Sequence, residues 1–233
     1  MANVLGYLEE SFRRVPERCA VTDDRVSYSY SEFYHLTRRL GSALAERVGQ
    51  RQGVGIYMEK NTDAVAAFFG VQWAGGFYSV LNTELPGGRL QQIVAQLDPP
   101  VIVTSRENLP RAREIFLEEK LCCFEDLALH TEDARRLEKI QARAIDTDPL
   151  YVNFTSGSTG VPKGIVVSSR SVLDFIGCFT ELFGITQNDV IANQAPFDFD
   201  VSVKDIYSAM KAGATLAVVP RRLFSVPTQL IDF

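Results

Sequence analysis

An α/β fold of mostly parallel sheets flanked by helices is what this chain predicts, on three observations. Short apolar runs alternate with stretches of helical period almost from end to end. Glycine and proline punctuate the boundaries between them. The 233 residues are 46% hydrophobic, enough to bury one large core or two small ones. Strand–helix–strand alternation of this kind implies a parallel sheet covered by helices on both faces.

The elements follow in order. Ser29-Tyr30-Ser31-Glu32 has the spacing of a capping box, and Phe33, Leu36, Leu40, Ala43, Leu44 and Val48 continue it as a helical stripe. Val54 to Met58 reads as a strand. A helix starts near Thr62 and stops at Gly75-Gly76. Phe77 to Leu81 is a strand, Leu90 to Leu97 a helix, and Pro100 to Thr104 a strand entered through a double proline. Glu107 to Ala144 is more charged, with two amphipathic helices on either side of a short strand at Leu121-Cys122-Cys123-Phe124. Leu150 to Phe154 is a strand, followed by a polar loop and a strand at Ile165 to Val167. Val172 to Phe183 is helical and ends at Gly184. Val190 to Gln194, a helix from Val201 to Lys211, and Ala214 to Val219 complete the pattern. Pro227 to Phe233 opens like another helix without a polar ending, which is expected of a piece of something longer.

Composition excludes several functions. The net charge of −5 opposes a phosphate-backbone partner, which needs a basic face, so no nucleic acid is expected. No apolar run approaches the about 18 residues of a membrane span, and the charged N-terminus lacks a signal core, so no membrane partner and a cytoplasmic location are expected. Cys19, Cys122, Cys123 and Cys178 form no CxxC pair, and His35 and His130 stand alone, so neither redox nor zinc chemistry is expected.

The chemistry sits in Thr155-Ser156-Gly157-Ser158-Thr159-Gly160-Val161-Pro162-Lys163-Gly164, directly after a buried strand. Ligands of open α/β sheets collect at such carboxyl ends. Gly157, Gly160 and Gly164 leave backbone N–H groups unshielded; Thr155, Ser156, Ser158 and Thr159 add rotatable donors; Lys163 adds a point charge on a long stem. This is a cradle for a polyanion, most simply phosphate. The spacing is neither GxxxxGK[ST] nor GxGxxG. On composition alone a solvated turn fits equally well, since the same residues cluster in ordinary turns.

The string resembles, at every position, the signature loop T-S-G-S-T-G-x-P-K-G of the adenylate-forming superfamily: acyl-CoA synthetases, luciferases and the adenylation domains of non-ribosomal peptide synthetases. Ser29-Tyr30-Ser31-Glu32-Phe33 resembles the family's TYxEL element. Ala74 to Leu81 resembles AGxxYVPL, with Pro86 and Arg89 near their expected places. Two departures stand out: Ser169, before Arg170, occupies the place of a frequent histidine, and Asn82-Thr83 replaces the common DP. The resemblance implies that residues 1–233 are the N-terminal part of an AMP-binding (adenylation) domain, cut before its C-terminal half. It implies ATP, with magnesium carried on it, as the co-substrate. The family's adenine- and ribose-binding motifs, magnesium-binding glutamate and catalytic lysine are not found before Phe233, so no catalytic residue is assigned here and this stretch alone is expected to be inactive.

Phe199-Asp200-Val201-Ser202 resembles the Phe-Asp-x-Ser of members that activate amino acids, among them peptide-synthetase adenylation domains and D-alanine–carrier protein ligases. Phe197-Asp198 is a near-copy without the serine. By that resemblance Phe199, Asp200 and Lys204 are substrate-binding, with Asp200 on the α-ammonium. A carboxylate facing an ammonium makes a charge-assisted hydrogen bond and excludes plain fatty acids. Asp200 also suits a plain helix N-cap, ahead of a core stripe at Val203, Ile206, Tyr207 and Met210. Lys204 stands four residues after Asp200, within reach of an ordinary salt bridge; as a pocket residue it would suit an acidic side chain. The resemblance implies an aminoacyl-adenylate, then a thioester on the phosphopantetheine of a carrier protein. Two alternatives stay open: a non-catalytic phosphate-binding or scaffold module, and an acid–thiol ligase of the acyl-CoA synthetase kind.

Overall fold

A computed structural model describes residues 2–156, 160–225 and 228. Helix α1 (Leu5–Arg14) leads into β1 (Cys19–Thr22) and β2 (Ser27–Ser29), three elements that the sequence reading did not anticipate. Then come α2 (Tyr30–Leu44), β3 (Gly53–Tyr57), α3 (Thr62–Trp73), β4 (Phe77–Val80), α4 (Gly87–Leu97), β5 (Ile102–Thr104), α5 (Leu109–Ile115), β6 (Leu121–Cys123), α6 (Phe124–Ala128) and α7 (Ala134–Gln141). The chain continues through β7 (Pro149–Ser156), β8 (Pro162–Ser168), α8 (Ser169–Leu182), β9 (Val190–Asn193), α9 (Val201–Ala212) and β10 (Thr215–Val218).

The strands form two sheets. A six-stranded sheet runs in the order β6-β5-β3-β4-β7-β8, and every pair is parallel except β7–β8. A four-stranded sheet runs β2-β1-β10-β9, with β2 antiparallel at its edge. The expected α/β architecture is present. Among the described residues its antiparallel members are the edge strands β2 and β8.

The capping box at α2 is present as the spacing requires: Ser29 accepts from the Glu32 amide and Glu32 accepts from the Ser29 amide. Helix α3 carries no polar face because it is buried nearly all round, with Phe68 and Phe69 fully inside. It crosses α2 at a glycine on each helix. A Cβ on Gly41 would lie 2.3 Å from that of Trp73, and one on Gly70 would lie 2.7 Å from that of Leu40. That close crossing lets α2 and α3 pack as one layer. Tyr30, rooted in α2, shares its hydroxyl hydrogen between the carbonyls of Ala209 and Ala214, tying it to α9 and to the residue just before β10. The stripe expected on α9 is in the core: Val203, Ile206, Tyr207 and Met210 are buried.

Several boundaries move, two of them at the hairpin and the helix after it, and one helix is added. Strand β8 begins at Pro162 rather than Ile165, so Lys163 and Gly164 belong to a strand and not to a loop. Helix α8 begins at Ser169, capped by the Ser168 hydroxyl on the Ser171 amide, three residues earlier than its apolar stripe indicated. The charged region holds a short third helix, α6, besides the two expected. The helical reading of Pro227 to Phe233 falls, but for residue 228, outside the described residues.

Candidate functional site

The site is built on the β7–β8 hairpin. Its register pairs Thr155 with Lys163, Phe154 with Gly164 and Tyr151 with Val167. Directly paired residues share a face, and residues two and four apart along a strand share it too. Tyr151, Thr155, Lys163 and Val167 therefore line one side of the hairpin. Tyr151 and Val167 are at its root, while Thr155 and Lys163 lie four residues on, roughly 13 Å away at about 3.3 Å per residue.

At the outer end Thr155 and Lys163 are exposed. Gly160, with φ of +80°, occupies the left-handed region that favours glycine. Gly164 lies in the extended strand, not in a left-handed turn. Gly157, Ser158 and Thr159 lie outside the described residues, and the Ser156 backbone ends β7. Arg89, on α4, donates to the Thr155 carbonyl at 3.3 Å and to the Gly160 carbonyl at 3.1 Å, so one guanidinium holds both feet of the segment. The sequence marked Arg89 only as a landmark.

At the root, a cleft of about 400 Å³ opens between the hairpin, α8 and the start of α9. Tyr151, Val167, Val172 and Phe175 give it apolar walls; Asp200 and Lys204 give it charge. Tyr151, Val167 and Phe175 lay in stretches that read as plain core, and nothing in their spacing marks them as lining a cleft.

Asp200 stands at the N-cap position of α9, yet its side chain makes no capping bond. The capping alternative is thus corrected: its backbone is helical (φ −60°, ψ −25°), which turns the carboxylate away from the first-turn amides. The side chain is exposed and, among the described residues, has no ion-pair partner. Its charge is felt inside the cleft, because burial and then the Asp200 carboxylate push the Tyr151 hydroxyl up to about 12.

The salt bridge expected between Lys204 and Asp200 is also corrected. Lys204 Nζ pairs instead with Asp205 Oδ1 at 2.5 Å, and Asp205 is buried. Neighbours in a helix do not normally face each other, but the long lysine stem folds back far enough. Phe199, the third expected substrate residue, is 57% exposed and does not line the cleft; Phe197 is the buried member of the repeated Phe-Asp pair. Asp198 accepts from Asn82 Nδ2 at 3.0 Å, so the near-copy serves the frame of this turn.

Two residues singled out elsewhere have structural surroundings. Ser169 is buried at the start of α8, away from the cleft, and its hydroxyl has no hydrogen-bond partner among the described residues. Burial and the bond to Glu125 push the Cys123 thiol up to about 11, which keeps it protonated at neutral pH. Among the described residues no group of three His, Cys, Asp or Glu gathers to hold a metal, and no helix is long and apolar enough to cross a membrane.

The fold defines the class first: an open, mostly parallel α/β domain whose polar segments sit at strand carboxyl ends, where such domains bind ligands. The chain belongs to the AMP-binding enzyme family, whose model matches residues 8–232. It is 32% identical over 236 residues to syringomycin synthase SyrB1 of Pseudomonas syringae pv. syringae, covering 97% of this chain and 37% of that protein. It is 25% identical over 229 residues to a D-alanine–D-alanyl carrier protein ligase of Lacticaseibacillus casei (strain BL23), covering 95% and 43%. Among solved structures, a four-domain non-ribosomal peptide synthetase bound to AMP and glycine superposes with a TM-score of 0.84 at 22% identity, over 99% of this chain and 16% of that one. The synthetase FmoA3 bound to AMPPNP superposes with a TM-score of 0.81 at 25% identity, over 94% and 23%. The chain spans less than half the length of each of these relatives.

Proposed function

We propose that the full-length protein is an ATP-dependent ligase that activates an amino acid. The observation that carries the reading is the shared hairpin face: the hydroxyl-and-lysine end and the Asp200 cleft stand on one side of β7–β8, in line. A substrate ammonium on Asp200 would leave its carboxylate pointing along that face toward the phosphates.

A substrate carboxylate oxygen attacks the α-phosphorus of ATP, the bond to the β-phosphate oxygen breaks, and pyrophosphate leaves. Thr155, Ser156, Gly157, Ser158, Thr159, Gly160, Lys163 and Gly164 hold the β- and γ-phosphates. Lys163 stabilises the charge that develops on the departing pyrophosphate. Magnesium carried on the nucleotide would screen the phosphate charge that these residues hold. Catalysis of this half is mostly positioning, with an oxygen nucleophile and phosphorus held in line. A thiol then attacks the acyl carbon, releasing AMP and a proton. Relatives named as carrier-protein ligases support a carrier protein as the bearer of that thiol, and phosphopantetheine is the arm that the family resemblance implies for it.

Asp200 selects an amino acid over a plain carboxylic acid by a charge-assisted bond that the plain acid leaves unmade. Lys204, at the cleft wall, favours an acidic side chain. Exchange of labelled pyrophosphate into ATP, measured on the full-length enzyme with glutamate, aspartate and alanine, tests both parts. Exchange is expected with an acidic amino acid above alanine; a clear alanine preference removes the acidic reading. No exchange with any amino acid removes the whole reading.

A further inference from the structure

Lys60 stands three residues after the end of β3, in the six-stranded sheet, yet its ammonium reaches into the four-stranded one. Nζ donates to the carbonyls of Asn193 at 2.7 Å, Gln194 at 3.1 Å and Val219 at 3.0 Å. An ammonium has three N–H donors, and all three are spent on backbone at the carboxyl ends of β9 and β10. It also lies 5.7 Å from the centroid of the Phe197 ring. A second tie runs parallel to it, from Asn82 after β4 to Asp198 at 3.0 Å. Both ties hold the segment Gln194–Asp200, which delivers the Asp200 carboxylate to the cleft.

The same junction reaches Lys204. Asn193, whose carbonyl Lys60 holds, donates from Nδ2 to Asp205 Oδ2 at 3.0 Å, and Asp205 Oδ1 holds the Lys204 ammonium. Asn193 and Asp205 are both buried, so this connection is made in a medium where an unmatched polar group is costly. Burial lowers the Lys60 ammonium to about 8, while the Asp205 charge acts in the opposite direction.

We propose that Lys60 is a positioning residue for the amino-acid site, fixing the Gln194–Asp200 segment and, through Asn193 and Asp205, the Lys204 ammonium. Among the described residues Lys60 bonds to neither the cleft lining nor the signature segment, so its effect falls on one substrate. Replacement removes the Lys60 donor from the Gln194 and Val219 carbonyls, leaves the Asn193 carbonyl with the Val219 amide alone at 3.2 Å, and frees the turn by local opening, not by global unfolding.

The functional half of this inference rests on the proposed amino-acid activation; the structural half does not. The test is made on the full-length protein. In Lys60→Met, amide hydrogen exchange over residues 194–200 is expected to speed up about tenfold or more while β3 to β5 keep their native rates. In pyrophosphate exchange the KM for the amino acid is expected to rise about tenfold with the KM for ATP nearly unchanged, and Lys60→Arg restores most of both. Should Lys60→Met fail to fold, Lys60→Gln, which keeps two donors, is measured in the same way. Native exchange at 194–200, or equal losses for ATP and amino acid, overturns the proposal. If the native enzyme exchanges pyrophosphate with no amino acid, the activation reading falls and the hydrogen-exchange pattern alone judges the clamp.

Discussion

The outer end of the β7–β8 hairpin and the turn into α9 are two polar regions on one domain, built in opposite ways. The hairpin end is contiguous in sequence and exposed, and its described external tie is the single guanidinium of Arg89. The α9 turn is set by partners 12 to 134 residues away: Lys60 on Gln194, Asn82 on Asp198, Asn193 on Asp205. On the proposed reading the hairpin end meets a phosphate tail, which is the same in every ATP, so a short string of donors contiguous in sequence serves it. An amino-acid side chain differs from enzyme to enzyme, and the groups that meet it need a rigid frame.

The largest expected effect breaks the hairpin end. Lys163→Ala in the full-length enzyme is expected to lower the pyrophosphate exchange rate about 100- to 1000-fold, the usual loss when a preorganised charge donor is removed. At the α9 turn, Asp200→Asn removes a charge-assisted bond of about 1.5–3 kcal/mol and is expected to raise the amino-acid KM about 10- to 150-fold. Gly70→Val touches neither region. It drives a side chain into Leu40 and is expected to cost about 1–3 kcal/mol, read as a lower Tm, with amino-acid preference unchanged in the folded fraction. A shifted preference there would mean that the α2–α3 layer shapes the cleft. The smallest effect sharpens the comparison: Lys204→Gln is expected to cut the preference for acidic over neutral amino acids about three- to tenfold, because Asp205 already satisfies part of the lysine charge.

The same contrast explains what could be read from the chain beforehand. The Ser29–Glu32 cap, the strand before the signature loop and the α9 stripe are local patterns, and each is where its spacing puts it. Strand β1 is four residues long and pairs in parallel with β10, nearly two hundred residues on. Neither its length nor its partner leaves a periodic trace. Lys163 was legible as a cation but not as a strand residue, because its β geometry comes from pairing with Thr155 across the turn. Asp200 had the residue type of a cap, and only its backbone dihedrals show that the carboxylate caps nothing. Lys60 reads as an ordinary charge after a strand; its three acceptors are 133, 134 and 159 residues away.

Separate Michaelis constants for ATP and for the amino acid, measured side by side in Lys163→Ala and Asp200→Asn, test the division of labour most directly. Lys163→Ala is expected to weaken the handling of ATP and leave the amino-acid KM near native, and Asp200→Asn to do the reverse. Equal changes in both constants for both variants would contradict two separately built ends on one hairpin face.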